Sequence, residues 1–227
     1  MKDIVKALFA NKEFNAKHRL GAVNSINWAR ILAQTVYYFL SFFHFQAQLP
    51  QGTSLDDIDI QYVVPTGNFG DILAGYYAKK MGLPIGKLVV ATNANDILAR
   101  FWKSGKYEKV DSDASEGQGA AAPAEGGSDG RQATDASGVK ETLSPAMDIL
   151  ISSNFERLLW YLAFENTEGA DEEERRRLAS QTLDGWMSLM KTDGRVEVPV
   201  AVLESARTDF FAERISDDLV NTLLTFH

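Results

Sequence analysis

The sequence predicts an α/β fold in which parallel strands alternate with packed helices. The first observation is a strand, a glycine-flanked loop and a helix in residues 60–82, IQYVVPTGNFGDILAGYYAKKMG. The second is the short apolar run 88–91, LVVA, which is typical of a strand buried in a parallel sheet. A further helical pattern follows it in residues 96–103. Strands and helices that alternate with short connections build a parallel sheet, so we expect these two strands to lie side by side.

Composition narrows the classes of protein. The chain has 227 residues, of which 45% are hydrophobic, enough for a packed core in one large domain or two small ones. Its formal charge is −8, and the basic triplet 175–177 follows the acidic run 171–174, so nucleic acid is a poor partner. There is no cysteine, which excludes disulfides, zinc–cysteine sites and cysteine nucleophiles and fits a reducing compartment such as the cytoplasm.

The first elements are helical. Residues 3–9 form a short amphipathic pattern, and we expect an irregular polar stretch from there to Arg19. Asn24 or Ser25 then suits the N-cap of a long helix that runs to about Phe45 and is packed on most sides. Residues 31–55 contain no charged side chain, but Gln, His, Thr and Ser interrupt them, so we expect a buried helix and no membrane span.

The pattern divides the chain into three portions. Residues 1–110 form the α/β portion, and residues 111–140 form a disordered, low-complexity insertion in which 111–138 lack any aromatic or large aliphatic residue. Residues 141–227 form a mainly helical continuation of the same domain. In that continuation we expect one or two helices broken near 152–154, an acidic-started helix 171–190, an edge segment 196–200, and helices 202–211 and 217–224.

The loop that follows the first strand predicts an anion site. Pro65 ends the strand, and a short glycine loop that starts a helix leaves several backbone N–H groups unpaired at the positive end of the helix dipole. Neither G-x-x-x-x-G-K-[ST] nor G-x-G-x-x-G occurs, which disfavours nucleoside triphosphates and dinucleotides. One small phosphate remains, with Asn68 and Thr66 as further donors. Alternatively, the glycines only make a tight turn and Asp71 only caps the helix.

Three stretches together resemble a known enzyme family. They are residues 24–30, NSINWAR; residues 63–85, VVPTGNFGDILAGYYAKKMGLPI; and residues 143–163, LSPAMDILISSNFERLLWYLA. Nearly the whole chain outside the insertion resembles threonine synthase of the fungal and bacterial type. The resemblance implies a pyridoxal 5′-phosphate (PLP) enzyme of the tryptophan-synthase-β-like fold type II. Members of this family are lyases of threonine biosynthesis that convert the small-molecule substrate O-phospho-L-homoserine and water into L-threonine and phosphate.

The resemblance also implies roles for individual residues. The segment that holds the cofactor phosphate in the family matches Gly67, Asn68, Phe69, Gly70 and Asp71. We expect Asp71 to cap its helix and brace the loop, because its carboxylate would repel a phosphate. The segment that lines the active site matches Asn24, Ser25 and Asn27, although Asn24 or Ser25 could serve only as the helix cap. For Ser153, Asn154, Phe155 and Arg157 we expect packing and hydrogen bonding between helices.

Some of the family's segments have no counterpart in this sequence. The Schiff-base lysine in its Phe-Lys-Asp context, the Ser-Gly-Asp-Thr-Gly substrate segment and the threonine segment at the pyridine nitrogen are all missing. We therefore assign no catalytic residue and no metal ligand, and we expect a middle-to-C-terminal portion of the enzyme that is inactive alone. Alternatives are a non-catalytic relative that binds phosphate or a partner, and a different fold type II PLP lyase, against which NSINWAR argues.

Overall fold

A computed structural model describes residues 2–21, 24–54, 58–109 and 138–224. Those residues form nine α-helices, five strands and one 3₁₀ turn, Pro145–Met147. In chain order the elements are α1 (Lys2–Ala10), α2 (Lys12–His18), α3 (Trp28–Gln46), β1 (Tyr62–Pro65), α4 (Gly70–Lys80), β2 (Leu88–Thr92), α5 (Ile97–Ser104), β3 (Lys106–Glu108), α6 (Phe155–Glu165), α7 (Glu172–Thr192), β4 (Arg195–Glu197), α8 (Val200–Asp209), β5 (Phe210–Arg214) and α9 (Asp217–Leu224).

A parallel sheet with the strand order β1-β2-β5 organises the fold, which confirms the predicted α/β class. In its register Val64 lies beside Val90, and Leu88 lies beside Phe210. The strand β5 was not predicted, because Phe210 continues the helical spacing of the apolar residues in α8. Phe210 is 1% exposed and its ring packs on the aromatic core, so tertiary packing decides the extended conformation. A second, antiparallel pair joins β3 to β4.

Several helix boundaries differ from the prediction. The stretch before Arg19 is the helix α2, capped by Asn11, whose Oδ1 accepts a hydrogen bond from Phe14 N at 3.0 Å. The long helix α3 begins at Trp28 with Asn27 as its N-cap, so the prediction of Asn24 or Ser25 as the cap was wrong. Three residues of capping type within four positions, Asn24, Ser25 and Asn27, make such a boundary ambiguous from sequence. A helix does begin after the predicted break at 152–154, but the segment before it contains only the 3₁₀ turn Pro145–Met147, so the helix predicted there was wrong. The predicted acidic start of α7 is confirmed, with Asp171 at the N-cap.

One face of α3 is open, which contradicts the prediction that this helix is packed on most sides. Its buried residues are confined to Ile31, Thr35, Tyr38 and Phe42. Large apolar side chains on the rest of its surface stay exposed, among them Trp28, Leu32, Val36, Leu40 and Phe43. Apolar periodicity records which residues favour burial, whereas the described part of the chain covers only the side that faces α4.

The predicted insertion falls largely outside the described residues, since 110–137 are not among them. Lys140, at its C-terminal end, is held by Asn95: Lys140 N donates to Asn95 Oδ1 at 2.8 Å, and Asn95 Nδ2 donates to Lys140 O at 2.9 Å. None of the helices in the described ranges is long and apolar enough to cross a membrane.

The helices α3 and α4 approach each other closely at Gly75. A Cβ atom built on Gly75 would lie 2.6 Å from Cε1 of Tyr38. The Tyr38 ring has little freedom to move, because its hydroxyl donates a hydrogen bond to Asp71 O at 3.0 Å. Gly75 therefore sets the distance between the helix that carries the predicted loop and the helix beside it.

We expect Gly75→Ala to lower the free energy of unfolding by about 1–3 kcal/mol, the range typical of overpacked cores. The matched control is Gly185→Ala in α7, where a Cβ would meet no atom within 4 Å. There the better helix propensity of alanine should stabilise the chain by up to about 1 kcal/mol. Urea unfolding measures both changes, and equal effects at the two glycines would contradict the close packing of α3 on α4.

Candidate anion-binding site

The loop 66–69 links the end of β1 to the first turn of α4. Thr66 N donates to Ala91 O at 2.7 Å, which extends the β1–β2 ladder by one bond. The Thr66 hydroxyl donates its proton to Val64 O in β1, at 2.6 Å. This bond differs from the expectation that Thr66 would donate to a ligand.

Phe69 holds the loop in its reversal. Its backbone adopts the left-handed region, with φ 62° and ψ 11°, which costs about 1–2 kcal/mol for a residue with a Cβ. The side chain is 1% exposed, and its ring centroid lies 5.3 Å from that of Phe155 and 5.8 Å from that of Phe210. Burying a phenylalanine ring stabilises by roughly 1.5–3 kcal/mol, which offsets the backbone cost. Phe69 is therefore an apolar anchor under the loop.

The backbone amides of this loop are free to bind a ligand. None of the six N–H groups from Gly67 to Ile72 donates a hydrogen bond to another described residue. The first helical bond that reaches back is Leu73 N to Phe69 O, at 3.2 Å. Unpaired amides at the positive end of a helix dipole are the arrangement that binds phosphate and other anions.

Asn154 determines which way these amides point. This side chain is 0% exposed, and its Nδ2 donates to Ser25 O at 2.7 Å and to Asn68 O at 2.8 Å, while its own N donates to Asn68 O at 3.1 Å. Ser152 Oγ donates to Gly67 O at 2.9 Å. In a trans peptide the C=O and the following N–H point in opposite directions, so fixing two loop carbonyls toward 152–154 turns the next amides the other way.

Arg157 completes the hydrogen-bonded cluster of Ser152, Asn154 and Arg157, which we call the clasp. Its Nη1 donates to Asn154 Oδ1 at 2.7 Å, and its Nη2 donates to Ile26 O at 2.8 Å. Ser153 Oγ donates to Asn68 Oδ1 at 3.2 Å, which leaves the Asn68 amide nitrogen as a donor for a ligand. Packing and hydrogen bonding, as predicted, are the roles of these residues and of Phe155, but the hydrogen bonds reach the loop and the turn before α3 and do not join two helices.

The free amides open into a cleft of about 180 Å³. Besides the loop it is lined by Ser25, Arg30 and Gln34 from the α3 side and by Ala146. The Arg30 guanidinium forms no ion pair or hydrogen bond with the described residues, so its positive charge is available to an anion. Gly67 closes the floor, since a Cβ there would lie 2.9 Å from Ala146 O.

Asp71 does not act as predicted. The N-cap position of α4 is Phe69, which makes no side-chain cap, and Oδ1 of Asp71 is buried without a hydrogen-bond partner among the described residues. Burial raises the pKa of the Asp71 carboxyl above its ordinary value. Because the helix starts directly after the left-handed Phe69, Asp71 lies in the first turn of α4, and it is one of the residues that line the cleft.

The structure brings most of the predicted site residues together. All five loop residues from Gly67 to Asp71 line the cleft, and Ser25 joins them. Asn24 and Asn27 instead hold backbone, since their Oδ1 atoms accept from Ile26 N and Ala29 N. Sequence reasoning missed Arg30 and Gln34, although their spacing of four residues on α3 places them on one helix face.

The fold and the cleft first define a class of protein. A parallel α/β sheet whose glycine loop presents free amides at a helix start suits a phosphate-bearing ligand, and the structures that match the chain are PLP-dependent enzymes of fold type II. Within that class the chain is similar, along nearly its whole length, to a part of threonine synthase. A comparison with models of known protein families matches none of them.

Individual relatives make this similarity quantitative. The threonine synthase of Saccharomyces cerevisiae is 51% identical over 216 residues, which are 95% of this chain and 35% of the relative. The crystal structure of threonine synthase from yeast aligns with a TM-score of 0.72 at 50% identity, and it covers 95% of this chain and 35% of its own. A PLP-bound threonine synthase from Brucella melitensis aligns with a TM-score of 0.69 at 38% identity, covering 95% of this chain and 36% of its own. The chain thus spans about a third of the length of the curated relatives it matches.

We expect Asn154→Ala to destabilise the chain, because Ser25 O loses its buried side-chain donor and Asn68 O keeps only the bond from the backbone N of residue 154. Each buried group left unsatisfied costs about 1–3 kcal/mol. The matched control is Asn166→Ala at the other end of α6, where Nδ2 also donates to a carbonyl, Leu162 O, but the residue is exposed. Urea unfolding should give a loss several times larger at Asn154, and equal losses would contradict the clasp.

Proposed function

We propose that this chain is the cofactor-phosphate-binding portion of a threonine synthase, the PLP-dependent enzyme that forms L-threonine and phosphate from O-phospho-L-homoserine and water. The observation that carries the proposal is the run of free amides from Gly67 to Ile72, held toward a cleft beside Arg30. Its similarity to threonine synthases, one of them PLP-bound, supports the same assignment. Such a biosynthetic enzyme would work in the cytoplasm on a small-molecule substrate.

The residues present fit the phosphate of PLP. The amides of Gly67, Asn68, Phe69 and Gly70 and the Asn68 side-chain amide supply donors, and the dipole of α4 supplies a positive potential. Gly67 and Gly70 add no side chain to the loop, and a Cβ atom at Gly67 would lie too close to Ala146 O, at 2.9 Å. PLP, when bound, supplies the electron sink for carbanion chemistry on an amino acid, whereas the protein binds and orients the reactants.

Arg30 gives the site a second means of attracting phosphate. The substrate carries a phosphate of its own, and a guanidinium that has no partner among the described residues can bind it through two parallel hydrogen bonds. Gln34, one helical turn further along α3, offers an amide donor beside it. We assign Arg30 and Gln34 to the substrate's phosphate and the loop amides to the cofactor's.

The described residues that line the cleft include no lysine, so none of them offers an amine that could bond a cofactor covalently. Lys79 and Lys80 lie at the opposite end of α4, where both form ion pairs with Asp209, at 3.0 and 3.3 Å. A non-catalytic phosphate-binding relative is the second candidate function that this observation favours. The two candidates differ in whether the chain can serve within a complete threonine synthase.

A chimera separates these candidates. We expect the chain alone to form no threonine from O-phospho-L-homoserine, because its cleft lacks a lysine. In a chimera this chain replaces the matching third of the S. cerevisiae enzyme. We expect that chimera to form threonine at a rate within about tenfold of that enzyme, because the chain contributes the free loop amides and Arg30. A folded, PLP-loaded chimera that forms no threonine would favour the non-catalytic relative.

The same chimera tests Arg30. We expect Arg30→Ala to raise KM for O-phospho-L-homoserine by about 10- to 100-fold, since a charge-assisted hydrogen bond contributes roughly 1.5–3 kcal/mol. Arg177→Ala is the control, because Arg177 lies exposed on α7 and bonds to neighbours on its own helix. An unchanged KM in the Arg30 variant would remove this residue from the site.

A further inference from the structure

The carboxyl of Asp71 is an anomaly in a site built for anions. It lies in the first turn of α4 and lines the cleft, and its Oδ1 is buried without a hydrogen-bond partner among the described residues. Asp71 is half-buried, and a carboxylate oxygen that is buried without a partner disfavours the charged form, because an uncompensated charge in a low-dielectric site is costly. A dianionic phosphate on the adjacent amides would add repulsion from the same side.

Among the described residues, no cation forms an ion pair with Asp71. On α3 the facing ionisable groups are Arg30 and Tyr38, and the Tyr38 hydroxyl donates to the backbone oxygen of Asp71, at 3.0 Å. Tyr62 on β1 bonds to Ser41 at 2.8 Å and to Tyr38 O. On α6, Arg157 is committed to the carbonyl of Ile26 and to Asn154. No ion pair within 4.0 Å reaches Asp71 among the described residues.

We propose that the free amides of residues 67–72 bind a phosphate monoester together with one proton, and that Asp71 holds that proton. The inference rests on the proposed function and adds the ionisation state in which the site works. A neutral carboxyl removes the repulsion and offers an O–H donor to a phosphate oxygen. The site therefore binds phosphate best when the Asp71 carboxyl is protonated, because the phosphate then meets no second negative charge.

The direction of the pH dependence follows from this arrangement. Burial already raises the pKa of Asp71 in the free chain, and a bound phosphate dianion raises it further. Below the pKa of the free chain Asp71 is neutral before binding, and affinity is at its maximum. Above it the carboxylate must take up a proton on binding, so the dissociation constant rises by up to about tenfold for each pH unit until the pKa of the complex is passed.

The test compares the full chain with Asp71→Asn, which keeps the shape and removes the charge. The probe is pyridoxine 5′-phosphate, which carries the phosphate but no aldehyde and therefore cannot react with lysines. Isothermal titration calorimetry at pH 8 in two buffers of different ionisation enthalpy counts the protons taken up. We expect the full chain to take up more protons on binding than the variant, and the variant to bind more tightly than the full chain at pH 8 by a factor that shrinks as the pH is lowered toward 5.

The ligand's own second ionisation, near pH 6, is common to both proteins and cancels in their ratio. The control is Asp184→Asn, which makes the same charge change at an exposed position on α7 and should bind like the unaltered chain. Because the folded state favours neutral Asp71, the Asp71→Asn chain should unfold at the same or a higher temperature at pH 8, which establishes that it folds.

The outcomes separate this inference from the function it rests on. Binding by both proteins with equal proton uptake and a constant ratio of dissociation constants from pH 5 to 8 would overturn the role of Asp71 and leave the phosphate site standing. No binding by either folded protein would overturn the phosphate site and this inference together. Tighter binding with less proton uptake in Asp71→Asn alone supports both.

Discussion

One buried amide group holds the candidate site together. The Nδ2 of Asn154 lies 2.7 Å from Ser25 O and 2.8 Å from Asn68 O, and so joins the turn before α3, the glycine loop and the start of α6. These segments are 129 and 86 residues away from Asn154 along the chain. Both bonds fix carbonyls, and because peptide units are planar the bond to Asn68 O also fixes the direction of the free Phe69 amide that follows it.

The loop lies between an aromatic cluster on one side and the polar cleft on the other. The ring of Phe69 is held among Phe155, Phe210 and Trp102, and its burial offsets the left-handed backbone that reverses the chain into α4. The strand β5 supplies Phe210 to that cluster, so the third strand supports the loop from below. Above the loop the cleft is polar, with the helix dipole and Arg30 favouring anions and Asp71 opposing them while it is ionised.

Local signals in the sequence predicted what depends on local chemistry. Pro65, the glycines and the apolar runs gave the strand, the loop and the helix, and the parallel pairing of β1 with β2 followed from their order. The chain reversal at Phe69 could not be predicted, because its cost is offset by rings from three distant segments. The strand β5 and the cap of α3 at Asn27 could not be predicted from local sequence either. The position of Asp71 in the first turn of α4 also depends on Phe69, which occupies the N-cap position. Arg30 belongs to the segment NSINWAR, but its position beside the loop depends on the clasp.

The central claim is that the clasp aims the amides of residues 67–72 at one bound phosphate. The most direct measurement is the change in backbone amide chemical shifts when inorganic phosphate is titrated into the full chain. The account predicts that the largest changes fall on Gly67 to Ile72, and that they disappear in a folded Asn154 variant. Changes concentrated instead at the basic side chains Lys87 and Lys103, beyond the other edge of the sheet, would contradict it.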